Sequence, residues 1–145
     1  MSDVVEVSSR PAERSWESPR GKVIARTPAR GVLVFIETGF LHDDFAEKLI
    51  LCLDGALVPG RKLELFVDAA KLEGYTPLIR TAPSDWLKAH LNQVSKQHML
   101  VASRITRMGL SVASLALGGV LVGYTDKGDF EREIARATQQ ACDES

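Results

Sequence analysis

The side chains able to do chemistry in this sequence gather where apolar runs stop. Asp68 closes the run Leu63 to Val67, Ser103, Arg104 and Arg107 follow Val101, and Tyr124 and Thr125 follow Leu121 to Gly123. Thr76 stands directly before Pro77. A threonine oxygen accepts hydrogen bonds from the free amides of a first helical turn, and proline at the first helical position gives up only an amide that has no helical partner. Helix starts also attract anions. Asp68, Ser103, Arg104, Arg107 and Thr125 could therefore frame a phosphate or carboxylate site, with Thr76 nearby. The plainer expectation is that Asp68 and Ser103 cap turns while the arginines stay solvated. Asp85, Lys88, Asn92 and Lys96 form a polar stripe, the usual mark of a solvated helix face. Trp86 within that stretch is a core anchor or an interface hot spot, the core role being the simpler.

Other chemistries lack their residues. His42, His90 and His98 fall on different segments, without the spacing that sets two ligands on one helix face, so no metal is expected. Neither a Gly-x-Ser-x-Gly elbow nor a paired Cys and His signature occurs, which points away from an enzyme and from any cofactor. Gly118, Gly119 and Gly123 precede and end a strand instead of joining a strand to a helix, so they do not read as a phosphate loop.

The chain of 145 residues has the length of one domain. Eighteen basic against nineteen acidic residues leave a net charge of -1, so no global field draws it to nucleic acid. Cys52 and Cys142 are far apart, and two reduced thiols suit a cytoplasmic protein. No secretory signal pattern is present at the start. The weakly polar run from Met108 to Val122 is about fifteen residues, short of the ~20 that a spanning helix needs.

These groups must be held by regular elements. Residues 1–20, with five serines and two prolines, read as a flexible tail, and residues 21–145 as the domain. Lys22 to Thr27 and Val32 to Glu37 form a hairpin around Pro28 to Gly31. Phe45, Leu49, Leu53 and Ala56 keep helical spacing after Asp43 and Asp44. Lys62 to Asp68 alternates as a third strand. A helix starts at Thr76-Pro77, with a kink or restart at Pro83. His98 to Ala102 is a strand, Arg104 to Leu117 a helix closed by Gly118, and Val120 to Tyr124 the fifth strand. The last helix is capped by Asp126 or Asp129 and carries Phe130, Ile134, Ala137 and Ala141. The order β-β-α-β-α-β-α-β-α predicts an α/β domain with a mostly parallel sheet and an antiparallel first strand.

That order resembles the STAS superfamily, best known for anti-sigma-factor antagonists. So does the run Leu65-Phe66-Val67-Asp68-Ala69-Ala70-Lys71-Leu72-Glu73-Gly74-Tyr75-Thr76. The Glu-Gly-Tyr segment and the later Ala-Leu-Gly-Gly and Tyr-Thr-Asp-Lys segments look most like uncharacterised bacterial STAS-like proteins, which are structurally similar to lipid-binding CRAL-TRIO domains. The resemblance implies a non-catalytic regulatory or protein-interaction module whose partner docks on the second helix and the loop before it, here Tyr75, Trp86 and Lys88. It also implies a phosphorylation site at the start of that helix, which by position is Thr76. The chain departs from the family's Asp-Ser-Ser-Gly pattern there, having Gly74-Tyr75-Thr76-Pro77 instead. A small-molecule or lipid carrier is the alternative reading. A homodimer could form through the first strand or through the third helix, where Gly109, Ala113, Ser114 and Ala116 are small.

Overall fold

A computed structural model describes residues 2–144, with the side chains of Ile105, Leu110, Ser111, Val112 and Ala116 outside the described set. Met1 and Ser145, the outer ends of the two expected segments, also lie outside it. Twelve elements follow in order: β1 (Val5–Arg10), β2 (Glu13–Glu17), β3 (Gly21–Ala29), β4 (Val32–Leu41), α1 (Asp44–Ala56), β5 (Leu63–Tyr75), α2 (Pro77–Ala89), a short 3-10 turn (Leu91–Gln93), β6 (Val94–Leu100), α3 (Arg104–Ala116), β7 (Leu121–Tyr124) and α4 (Lys127–Asp143).

All seven strands join one sheet whose order across the sheet is the order along the chain. β1 to β4 pair antiparallel, and β4 to β7 pair parallel. Crossovers of one hand that always step the same way deliver their helices to one face. On that face α1 and α2 pack through Phe45, Leu49, Leu53, Ile79 and Leu87 over Leu33, Phe35 and Leu65. The opposite face is covered by α4, whose Phe130, Ala137 and Ala141 lie on Val32, Val34, Phe66 and Leu100.

The segment expected to be a tail is instead the first two strands. Trp16 is 2% exposed and Val4 and Ser15 are buried. Average composition hides this, because the ordering entropy is offset residue by residue. β2 pairs with the edge of β3, Trp16 fills a core position beside Val23, and Arg14–Glu6 (2.7 Å), Arg26–Glu13 (2.7 Å) and Lys22–Glu17 (3.1 Å) join neighbouring strands. The parallel half is as expected, but β4 and β5 run further. β5 continues from Asp68 to Tyr75 through two register shifts against β4, and the Glu73-Gly74-Tyr75 segment is strand. Alanine, lysine, glutamate and glycine favour strands weakly, and only the long β4 beside them holds that stretch extended. Gly39 makes the β4 extension passable: its φ is +74°, and a Cβ there would lie 2.2 Å from the Arg20 carbonyl oxygen. α2 runs through Pro83 without the expected restart. β6 starts at Val94, four residues earlier than expected.

Candidate functional site

The start of α2 is fastened by a side chain expected to do something else. Thr76 has the extended backbone of an N-cap, yet its side chain makes no capping hydrogen bond. Its hydroxyl donates to Asp43 Oδ1 at 2.5 Å, and its amide donates to the Leu41 carbonyl at 3.0 Å. The end of β5 is thereby tied to the turn between β4 and α1. Ile79 faces the core, leaving Tyr75 at 45% and Leu78 at 43% exposure at the helix start. Lys88 is exposed at the far end. Trp86 takes the core-anchor position that was the simpler expectation. It is 7% exposed, its indole Nε1–H donates to Asp54 Oδ1 at 2.7 Å, and its ring stacks on His90 with centroids 4.1 Å apart. It anchors α2 to α1.

Along the carboxyl ends of the strands, register aligns Asp68 with Leu100 and Leu100 with Tyr124. Ser103 and Asp126 cap helices there, and Asp68 bonds within its own strand. Ser103 Oγ accepts from the Thr106 amide (3.1 Å), Asp126 Oδ1 from the Asp129 amide (2.9 Å), and Asp68 Oδ1 from the Ala70 amide (3.2 Å). Arg104, Arg107 and Thr125 are exposed. Of the proposed edge set, Asp68 lines a cleft on the face of the sheet that carries α4.

Sequence reasoning missed a network between β5, β6, β7 and α4. The buried His98 ring stacks on Phe66 with centroids 4.3 Å apart; Nδ1 is 2.8 Å from Tyr124 Oη and Nε2 is 2.7 Å from Glu64 Oε2. Arg136 binds both Glu64 and Glu133. The only sequence signal is that His98 shares a strand face with Leu100; its partners are distant along the chain. Hydroxyl, imidazole and carboxylate in series suggest an activated nucleophile. Burial and the nearby Glu133 carboxylate, however, push the phenol above its usual range. Burial opposes ionisation of Glu64, but hydrogen bonds from His98 and Arg136 outweigh it and hold the carboxyl below the usual range. The network is a clamp.

Two groups of side chains have ligand atoms within 4.8 Å of one another, Glu64–His98–Glu133 and Asp3–His42–Asp44. In the first, Arg136 already supplies the positive charge. In the second, His42 Nδ1 accepts from the Asp44 amide (3.2 Å), which leaves Nε2–H to donate to Asp3 Oδ1 (2.6 Å). Neither histidine has an idle ring nitrogen to offer a cation.

A cleft of about 320 Å³ lies between β3 to β5 and the first half of α4. Val34, Ile36, Phe130 and Ile134 supply apolar walls and Asp68 a carboxyl, whereas Glu37, paired with Val23 and alternating with Leu33 and Phe35, turns its side chain to the face of α1 and α2. Glu37 is 8% exposed. Burial, reinforced by the Asp68 charge, pushes its carboxyl up to about 7. Arg26, Lys71, Lys127 and Glu131 stand around the cleft and are exposed.

No family model and no curated protein matches the chain. Its structure is similar to the crystal structure of an uncharacterised protein of the DUF3478 family, with a SpoIIAA-like fold, from Shewanella loihica PV-4. The TM-score is 0.60 at 14% identity, over 90% of this chain and 91% of that one. Identity that low speaks to architecture alone. The antiparallel start, the parallel run with its helices and the closing α4 are the SpoIIAA-like, STAS-like α/β fold.

Proposed function

We propose that the chain is a non-catalytic, cytoplasmic regulatory module that binds a partner protein at the start of α2. The observation that carries this reading is the pair Tyr75 and Leu78, large apolar side chains left 45% and 43% exposed beside the Thr76–Asp43 fastening. Aromatic and aliphatic groups on a rigid helix start are the residues that anchor interfaces. The SpoIIAA-like fold is consistent with an antagonist-type module. Free Cys52 and Cys142 suit a reducing compartment. A phosphate on Thr76 would carry about -1.5 to -2 charge against Asp43 and Asp44. It would act by breaking the Thr76–Asp43 bond and loosening the docking edge.

The test compares wild-type chain with a Tyr75→Ser, Leu78→Glu variant, each immobilised and exposed to lysate of its own host. A stoichiometric protein retained by the wild type and lost by the variant, with circular dichroism unchanged, supports the reading. Equal retention by both, or no stoichiometric partner for either, overturns it. The second reading, a small-molecule carrier, is favoured by the cleft under α4. That cleft lies on the other face of the sheet from α2, so the two roles need not compete for a surface.

A further inference from the structure

We propose that a second cleft, at the amino ends of β4, β5 and β6, binds a small polar anion, a carboxylate or a phosphate, on Arg61, Lys62 and Gln140, and that the Glu144 carboxylate fills that place in the free chain. The cleft measures about 270 Å³ and lies between the turn at Gly31, the approach to β5, the start of β6 and the last turns of α4. Its lining is apolar only at Val32 and Ala137, both buried. Two donors converge on Glu144. Arg61 Nη1 lies 3.1 Å from Oε2, and Gln140 Nε2 donates to Oε1 at 3.1 Å. A guanidinium and an amide that address both oxygens of one carboxylate form a receptor for that group, and the charge-assisted bond is the stronger of the two.

The donors are set in place by the fold. Arg136 Nη1 donates to Gln140 Oε1 at 2.9 Å, and because a guanidinium only donates, the Gln140 amide is fixed with its NH2 toward Glu144. Arg61 is seated against Gly31, where a Cβ would come within 2.7 Å of its Cδ and Nε. The occupant is held more loosely. Glu144 follows the last residue of α4 and its side chain is 52% exposed, and an ion pair that open adds little to stability. Its carboxylate can leave without unwinding the helix. What it leaves behind is positive: Glu64, the other acid of the cleft, already accepts from His98 and Arg136, and the exposed Lys62 side chain has no hydrogen-bond or ion-pair partner among the described residues. A free anion therefore meets two cations and an aimed amide, and competes with one tethered carboxylate.

Titration calorimetry of the full chain with succinate, inorganic phosphate and neutral glycerol, at constant ionic strength, tests the assignment. Saturable binding is expected for at least one of the anions and none for glycerol. Tighter succinate assigns the site to carboxylates, and tighter phosphate assigns it to phosphorylated compounds. Glu144→Gln should raise anion affinity several-fold by removing the internal competitor. Arg61→Ala should lower it at least tenfold, and Gln140→Glu, which sets a carboxylate where a donor stood, should abolish it. Lys62→Ala, at an exposed position without a partner, should weaken binding several-fold and decides the matter if Arg61→Ala fails to fold. No saturation by either anion up to ~10 mM, saturation by glycerol, an affinity not raised by Glu144→Gln, or an affinity untouched by Arg61→Ala or Lys62→Ala would each overturn the site. The cleft lies at the other end of β5 from the start of α2, so none of these outcomes bears on docking there.

Discussion

Two carboxyls, the buried Glu37 and the half-buried Glu64, pull the pH dependence of stability in opposite directions. Glu37 is raised from 4.5 to about 7, so its contribution is complete below the unfolded value and is lost as pH rises through about 7. Glu64 is held below its usual range, so its contribution is present at neutral pH and is lost as pH falls through the folded value. Glu37→Gln should flatten the loss between pH 5 and 8 and stabilise the protein at pH 8 by up to ~3 kcal/mol, checked by urea unfolding across that range. Destabilisation at pH 8 would mean that the ionised carboxyl is satisfied in the free protein. At Thr76, the bond to Asp43 makes a different demand from capping. Thr76→Ala should cost ~0.5 to 1.5 kcal/mol and should couple to Asp43→Ala in a double-mutant cycle. Thr76→Asp should cost more than Thr76→Ala, since it sets a carboxylate against Asp43; an ordinary cap would give the reverse order. The caps at Ser103 and Asp126 were legible in the sequence because a cap joins residues three apart. The use of Thr76 and the His98 clamp were not, because their partners are brought in by the sheet.

Among elements, the strands β1 and β2 differ most from what the sequence suggests, and the reason is local. Five serines and two prolines dilute one buried tryptophan in any average over residues 1–20. Trp16→Ala should cost ~3 to 5 kcal/mol, and a chain starting at Gly21 should lose at least that much, both measured by chemical denaturation. A shortened chain of unchanged stability would return the segment to the status of a tail. The parallel half was legible because apolar runs such as Val32 to Ile36 alternate with amphipathic helices, and both patterns survive without knowledge of their neighbours. The end of β5 was not, since residues of weak strand preference are held there by β4 alone. Pro83 removes one helical hydrogen bond, and the inward contacts of Ile79 and Leu87 on either side keep α2 continuous.

For the molecule as a whole, the sheet divides the labour between its faces. One face carries α1 and α2 and hence the proposed docking edge; the other carries α4 and the cleft. The two edges are unlike: α3 packs against β7, while β1 ends the sheet with Val5 and Val7 exposed. A register shift within β1 and the charges of Glu6 and Arg10 are features that discourage strand addition at such an edge. A single species of monomer mass by light scattering is therefore expected for the free chain, and a stable dimer abolished by Val7→Lys would show that the edge is used after all.

A sheet whose spatial order repeats its chain order has a kinetic consequence. Every strand pairs with its immediate predecessor, so each pairing closes only the loop between them, and no strand must wait for a later one to be inserted beside it. Mean sequence separation of contacts is kept low for so strand-rich a domain, which favours fast folding by successive addition. The exception is α4, which forms last along the chain and reaches back to β3 and β4 as well as β6 and β7. Its docking should follow the rate-limiting step. Ala137→Gly, a change of ~1 kcal/mol on the buried side of α4, should therefore speed unfolding and leave the refolding rate nearly unchanged. An equal slowing of refolding would place α4 inside the nucleus and the sheet around it.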